Sequence, residues 1–241
     1  MVFTKNKLFF RIIRFILEPW PDVEALKKEY SAIYLLSYDK KDLPDFSVKE
    51  KDTPIIYLNR TMDEIFKDFN HTARNEIRKT FDNKIPGLRF FSDDHDLVAN
   101  YHLSAEFEKS QGRRPDNISD YRGCKIFSAY YYDELIANII CFDVGSILRA
   151  KAICSKRLKV DQPDKRRIIS YAGRRLMYEV CQYGLKNNYS IYDLGSVNFA
   201  KKNLAQYKMS FTPVTIKEYT YTYRSKWFNR LEKIRQSIKL V

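Results

Sequence analysis

The stretch NYSIYDLGSVNFAKKNLAQYKMSFTPVTIKEYTYTY, residues 188–223, decides the predicted fold. It predicts a strand over 190–194, a Gly-Ser turn, a short basic helix and a closing strand over 214–223. An acid and a glycine, Asp193 and Gly195, stand where the first strand must turn. Because ligands in α/β folds bind outside the carboxyl ends of strands, this turn is the first candidate for a binding site.

The rest of the chain predicts helices and strands in a mixed order. Helices are predicted over residues 5–17, 62–80, 93–109, 168–186 and 224–240, and strands over 32–38, 54–59, 88–91, 126–132, 135–144 and 148–154. Residues 42–53 are polar and predict a loop. The last three of these strands are joined by short turns, which favours antiparallel hairpins. We therefore expect an α+β (α/β) fold with a central mixed, mostly antiparallel sheet flanked by helices.

Both ends of the chain carry apolar stripes flanked by Lys and Arg. In residues 5–17 (KNKLFFRIIRFIL) the spacing of Leu, Phe and Ile predicts an amphipathic helix, with Arg11 and Arg14 on the other face. Residues 224–240 predict a second basic amphipathic helix. Such helices pack on a core or lie in a bilayer interface, and the sequence leaves both open.

Composition bounds the function. The chain has 241 residues, 44% hydrophobic and 15% aromatic, which suits one large domain or two small ones with a buried core. Its net charge of +13 attracts nucleic acid, anionic lipid headgroups or phosphorylated ligands, or serves solubility alone. Its four Cys include no CxxC pair, and its three His show no ligand spacing. We therefore expect a cytoplasmic protein without a metal, with peripheral contact at the inner face of the membrane as an accessory property.

Three motifs resemble one known family. They are FNHTARNEIRKT at 69–80, the helix 170–184 leading into YDLG at 192–195, and Tyr207-Lys208 followed by Phe211. In their order and spacing they resemble the GNAT acyltransferase fold, and in detail its Fem-type branch of aminoacyl- and acyltransferases. Thr212 stands where the family has a glycine.

The resemblance covers about residues 55–223 and implies a division of the chain. It makes 54–223 the acyltransferase domain, 1–53 an N-terminal helix and strand or partial GNAT-like subdomain, and 224–241 a C-terminal helix. The larger Fem enzymes have two complete GNAT domains, for which this chain is too short.

The resemblance also implies catalytic roles. Asp193 would accept a proton from the attacking amine or orient it, and its alternative is to close the turn through backbone N–H bonds. Tyr207 would protonate the departing thiolate or hydroxyl, and its alternative is core packing. Lys208 would stabilise the oxyanion or contact phosphate. Glu106 and Glu108 are further candidates for a base.

Two sets of binding residues complete the implied site. Residues 167–172 stand where the family has a phosphate-binding loop, although Ser170 replaces a glycine there. The residues implied for cofactor binding are Arg167, Ser170, Ala172, Gly173 and Asn203. Those implied for substrate binding are Arg74, Arg78, Lys79, Arg113, Arg114, Gly195, Ser196 and Asn198. The Arg and Lys side chains suit phosphate of a tRNA or a nucleotide-linked sugar, and a solvated charged surface is their alternative.

The activity implied is N-acyl transfer. The donor would be an acyl-CoA or an aminoacyl-tRNA, and the acceptor an amine on an amino sugar or peptide of a cell-envelope polysaccharide, nucleotide- or lipid-linked. Two alternatives are non-catalytic: a basic nucleic-acid-binding module and a membrane-surface scaffold.

Overall fold

The computed structural model describes residues 1–7, 9–200 and 202–238, so residues 239–241 of the predicted C-terminal segment and Leu8 of the N-terminal one lie outside the described residues. In chain order the strands are β1 (Val2–Lys7), β2 (Phe10–Ile16), β3 (Ala32–Ser37), β4 (Ser47–Tyr57), β5 (Leu88–Ser92), β6 (Lys125–Tyr131), β7 (Glu134–Val144), β8 (Ile147–Ser155), β9 (Ile191–Asp193) and β10 (Thr215–Arg224). The helices are α1 (Val23–Glu29), α2 (Met62–Asp68), α3 (His71–Arg78), α4 (Leu97–Ser110), α5 (Pro163–Lys186), α6 (Lys202–Met209) and α7 (Lys226–Ile238).

The chain forms two compact units. The first unit joins both ends of the chain, Met1–Asp52 and Ile216–Val241, and the second is Thr53–Thr215. In the first unit the strands follow the order β1-β2-β3-β10 and then the first part of β4. Its core packs Ile13, Ile33 and Tyr221 together. Whether this unit is a remnant of a second acyltransferase domain stays a prediction.

The second unit carries the mostly antiparallel sheet that the sequence predicts. Its strand order is the last part of β4, then β9, β8, β7, β6 and β5, and only the β8–β9 pair is parallel. Helices α2, α3 and α5 cover one face of this sheet, where Phe127, Leu176 and Tyr192 are fully buried. Helix α4 packs on the strands through a separate cluster around Leu103. The predicted fold class is confirmed.

The predicted helix over residues 5–17 is wrong. The segment is a hairpin, in which β1 pairs antiparallel with β2, and β2 pairs parallel with β3. Its Ile and Phe side chains suit a pleated sheet, and pairing with β1 on one side and β3 on the other satisfies the backbone groups of β2. Spacing in one short segment cannot reveal that partner, since β3 begins sixteen residues after β2 ends.

Three further boundaries differ from those predicted. Residues 47–53, expected in a loop, belong to β4, whose first four residues are exposed and, apart from Val48, polar. The helix predicted over 62–80 breaks at Phe69, which is extended, and Asn70 then caps α3 by accepting from the Ala73 N–H. Helix α5 starts at Pro163, one turn before the predicted start, because proline suits the first helical position.

Candidate active site

The candidate site lies where two neighbouring strands of the second unit separate. Strand β8 pairs with β9 only through Ile147–Arg149 and residues 191–193. Beyond that point β8 continues along β7 to Ser155, whereas the chain after Asp193 turns away and the Leu194 N–H donates to the Pro54 carbonyl at 3.0 Å. In the described part of the chain, no strand pairs with this edge of β8 beyond Arg149.

A β-bulge marks the same place. In the β7–β8 ladder Ala150 faces Cys141 and Ala152 faces Ile140, so Lys151 is the extra residue. A bulge re-aims the backbone groups and side chains around it. The Lys151 ammonium pairs with Asp116 at 2.8 Å and lies 4.4 Å from the centre of the Tyr121 ring. The extra residue of the bulge is therefore held by Asp116 and by the Tyr121 ring.

Asp193 is fully buried at the end of β9 and is held from three directions. Its Oδ1 accepts from the Thr53 hydroxyl at 2.5 Å and from the Gly195 N–H at 2.7 Å. Its Oδ2 pairs with the guanidinium of Arg149, the residue directly beside it on β8. This carboxylate closes the turn and ties β9 to β8 and β4. Its role in proton transfer stays a prediction.

Gly195 and Lys208 complete the turn. Gly195 has φ +73°, a backbone conformation that residues other than glycine rarely adopt. A Cβ placed there would lie 3.2 Å from the Ala150 carbonyl oxygen. The buried Lys208 ammonium donates to the Gly195 carbonyl at 2.9 Å and to the Ser196 carbonyl at 3.0 Å. The structure thus brings together four residues that the sequence predicts for this site, namely Asp193, Gly195, Ser196 and Lys208.

Tyr207 joins α6 to α5. Its hydroxyl donates to the Gly173 carbonyl at 3.0 Å. A Cβ added at Gly173 would lie 3.6 Å from the same hydroxyl oxygen. Burial raises the pKa of the Tyr207 hydroxyl well above its usual range, although the nearby Arg174 guanidinium acts in the opposite direction. Arg174 itself pairs with Glu76 and lies 5.7 Å from the Tyr207 ring. Tyr207 is therefore protonated at neutral pH.

The phosphate-binding loop predicted over residues 167–172 is not a loop. These residues lie inside α5, where their N–H groups are used by the helix itself. Arg167 is exposed beside Asp164, the Ser170 hydroxyl faces Glu76 at 3.4 Å, and Ala172 is buried in the core. Asn203 is exposed on α6. Their roles in binding a cofactor stay predictions, but the free N–H groups are at the start of α5, around Pro163.

The basic side chains of α3 point in different directions. Arg74 donates to the Lys67 carbonyl at 2.6 Å, Arg78 lies over the Phe66 ring, and Lys79 donates to the Tyr171 hydroxyl at 3.3 Å. Arg78 and Lys79 remain exposed. Arg78 and Lys79 contact residues of α2 and α5, whereas Asp193 pairs with Arg149 at the end of β9. No hydrogen bond or ion pair described for Arg78 or Lys79 joins them to Asp193.

The remaining predicted residues are exposed in loops or lie on α4. Arg113 pairs with Glu108 at 2.7 Å, Arg114 is exposed, and Glu106 pairs with Lys159 at 2.8 Å. Pairing with Lys159 holds the pKa of Glu106 below its usual value, which makes it a weak base. After the turn, Asn198 is exposed and accepts from the Ala200 N–H at 3.0 Å.

Sequence reasoning missed Thr53, Arg149 and Lys151. One signal was available: Arg149 and Lys151 are charged residues inside the otherwise apolar strand ILRAKAICS, and buried charges need partners. No cluster of His, Cys, Asp or Glu that could hold a metal ion is found among residues 1–7, 9–200 and 202–238. Across those same residues, no helix has the length and apolar character needed to cross a membrane.

Comparison with solved structures agrees with this architecture. The chain is similar to FemX, with a TM-score of 0.64 and 11% identity over 97% of this chain and 85% of that one. It is similar to the C-terminal domain of a putative lysylphosphatidylglycerol synthetase from Agrobacterium fabrum, with a TM-score of 0.59 and 9% identity over 93% and 81%. L-PGS from Bacillus licheniformis follows, with a TM-score of 0.54 and 12% identity over 93% and 81%.

These similarities establish the fold. The chain has a Fem-like GNAT fold, so the fold that the motif resemblance implies is confirmed. At 9–12% identity the likeness concerns the fold alone. At the level of sequence, no protein-family model and no curated protein matches the chain.

Proposed function

We propose that this protein is an N-acyltransferase that moves an acyl or aminoacyl group from an activated donor to an amine. The observation that carries the proposal is the separation of β8 from β9 at Arg149 and Asp193, with a bulge at Lys151. An edge of this kind offers fixed backbone N–H donors to a carbonyl oxygen that becomes negative during the reaction. Preorganised donors of this sort are the largest single contribution to many acyl transfers.

The amine nitrogen would attack the donor carbonyl carbon and form a C–N bond, and the C–S or C–O bond to the leaving group would break. The amine releases one proton to solvent, and the departing thiolate or alkoxide takes one up to become a thiol or hydroxyl. We assign the second transfer to Tyr207 because its hydroxyl keeps its proton at neutral pH; burial raises its pKa, which makes it a weaker acid than an exposed tyrosine. In this proposal Tyr207 donates that proton and regains one from solvent.

Asp193 and Lys208 are positioning residues in this proposal. Asp193 already accepts from Thr53 and Gly195 and pairs with Arg149, and Lys208 donates to the carbonyls of the same turn. Both charges therefore fix the course of the chain after β9. Holding reactants in one orientation is by itself a large share of the rate of a two-substrate reaction.

The donor classes are acyl-CoA and aminoacyl-tRNA, and the acceptor is the amine of an amino sugar or peptide from a cell-envelope polysaccharide. Support for a phosphate-bearing donor comes from the start of α5, a 24-residue helix whose N-cap, Gln162, makes no side-chain cap hydrogen bond. Free N–H groups and the helix dipole favour a phosphate at such an end. Arg167, exposed one turn later, lies 3.8 Å from Asp164 in the first turn, so its positive charge is partly offset at this helix end.

Incubation with acetyl-CoA and with charged tRNA, across amino sugars and peptides, tests the proposal when acyl loss and amide formation are followed by mass spectrometry. We expect Tyr207→Phe to lower kcat by about a hundredfold, as loss of a general acid does. Tyr130→Phe is the matched control, because it also removes a hydroxyl with a raised pKa, one that contacts Asp94 instead. Both donors remaining intact with every acceptor would point to a non-catalytic binding module.

A further inference from the structure

Helix α7 of the first unit presents an apolar stripe to solvent. Trp227 is 71% exposed, Leu231 46% and Ile234 54%, and these positions, four and three residues apart, lie on one side of a helix. Phe228, on another side, is buried. The helix is therefore already anchored to its own unit while a second apolar stripe remains uncovered. Large exposed apolar patches of this kind mark surfaces that bind something.

A second apolar feature lies beside this helix. Phe10, at the start of β2, packs edge-on against Phe228 with ring centres 5.3 Å apart. The preceding residue, Phe9, occupies the tip of the β1–β2 hairpin and is 97% exposed. The Phe10–Phe228 contact therefore holds a hairpin tip with an exposed aromatic ring close to the start of α7.

The sequence of both segments is rich in positive charge. Residues 224–238 contain five Lys or Arg and one Glu, and residues 1–17 contain four Lys or Arg and no Asp or Glu before Glu18. The Arg230 guanidinium lies 5.5 Å from the Trp227 ring centre, so cation and aromatic ring occupy one place. The combination of an aromatic residue, aliphatic residues and flanking cations is the composition of helices that lie in a bilayer interface.

We propose that α7 and the hairpin tip at Phe9 dock this protein on an anionic lipid bilayer. Trp227, Leu231 and Ile234 would enter the boundary between headgroups and acyl chains, and Lys226 and Arg230 would contact lipid phosphates. A second copy of the chain suits this surface less well, because its cations would face each other. A nucleic acid would use the cations but would leave the aliphatic side chains Leu231 and Ile234 without apolar contact.

Flotation with two kinds of vesicle tests the docking. We expect the full chain to bind vesicles of phosphatidylcholine and phosphatidylglycerol in equal parts, and to bind phosphatidylcholine alone far more weakly. Each cation near an anionic surface contributes about fivefold in binding, so Lys226→Gln with Arg230→Gln should weaken binding about 25-fold. Changing Trp227, Leu231 and Ile234 to Gln should weaken it about a hundredfold or more.

A matched control separates this surface from general stickiness. Val98→Gln with Leu158→Gln removes two exposed apolar side chains from the second unit and should leave vesicle binding unchanged. In a Trp20→Phe background Trp227 is the sole tryptophan, so its emission should shift to the blue when anionic vesicles are added. This spectroscopic signal and the two-residue charge variant still decide the question if the apolar variant fails to fold.

Several results would overturn the proposal. Equal binding to both vesicle types would show that the protein does not recognise anionic lipid. An equal loss in the Val98/Leu158 control would show that α7 is not the docking surface. A dimer in sedimentation that the apolar variant dissociates would assign the stripe to a second copy. RNA binding that this variant loses, without vesicle binding by the full chain, would assign it to nucleic acid. None of these results bears on acyl transfer, which is measured with soluble donors and acceptors.

Discussion

Replacing Gly195 with Ala tests how tightly the turn after β9 is built. Two effects add at this position. The first is conformational, because φ is +73° and an L-residue in the left-handed region costs about 1–2 kcal/mol. The second is steric, because the new Cβ would lie 3.2 Å from the Ala150 carbonyl oxygen and 3.5 Å from Lys208 Nζ.

The steric effect is not easily relieved. The Ala150 oxygen belongs to the backbone of β8, so either that strand or the turn must move by a few tenths of an ångström. Overpacking of this kind costs about 1–3 kcal/mol. Alanine also makes the unfolded chain less flexible than glycine does, which offsets the loss of stability by about 0.4–1 kcal/mol. The expected loss in the free energy of unfolding is therefore about 2–4 kcal/mol.

Gly145→Ala is the matched control for this substitution. Gly145, in the turn between β7 and β8, has φ +59°, but a Cβ there meets no atom within 4 Å. It therefore carries the conformational effect without the steric one, and we expect a loss of about 1 kcal/mol. Urea unfolding followed by far-ultraviolet circular dichroism measures both. If the two variants lose the same stability, the close approach of Gly195 to β8 is not a constraint and the reasoning is refuted.

Three further expectations concern charge and proton binding. Asp193→Ala removes one partner of the buried pair with Arg149 and should lower the free energy of unfolding by about 3–5 kcal/mol in urea titrations, whereas Thr53→Val, which removes one neutral donor, should lower it by about 1 kcal/mol. Burial raises the pKa of Tyr207, so above pH about 10 the unfolded chain releases a proton that the folded chain keeps. Tyr207 therefore destabilises the folded protein increasingly as the pH rises. The thermal midpoint of Tyr207→Phe should fall less steeply than that of the parent between pH about 9 and about 11. Hydrogen bonds from Lys165, and then from Lys156, lower the pKa of Glu134. This pairing stabilises the folded protein above the unfolded-state pKa of Glu134, and the stabilisation is lost as the pH falls through the folded-state pKa. Glu134→Gln should therefore lose less stability than the parent between pH 7 and pH 3.

Local pattern was sufficient for much of the second unit. The strands β6, β7 and β8 are long, apolar and separated by short turns, and α5 has a sustained helical period, so each could be recognised within its own residues. The strand at 191–193 was found because Asp193 and Gly195 punctuate its end. These elements depend on neighbours in the sequence.

The elements that were missed depend on distant partners. The segment that forms β2 has apolar spacing compatible with a helix, and it is the ladder with β1 and β3 that makes it a strand. The bulge at Lys151 arises from the register between β7 and β8. The pairing of Arg149 with Asp193 joins residues 44 positions apart, and only the parallel register of β8 and β9 places them side by side.

The candidate site gains its definition from that pairing. Asp193 binds Arg149 on β8 and Thr53 at the start of the second unit, and it accepts from Gly195 in the turn. Lys208 holds the same turn from the other end of its loop. Two buried charges that each have several partners help to specify one arrangement of the turn, because an arrangement that left either charge unpaired would be costly. The point at which β8 and β9 separate is therefore held by specific side-chain bonds. In the proposed reaction the backbone of β8 would contact the donor carbonyl and the Tyr207 hydroxyl would supply a proton, while Asp193 and Lys208 hold the turn after β9.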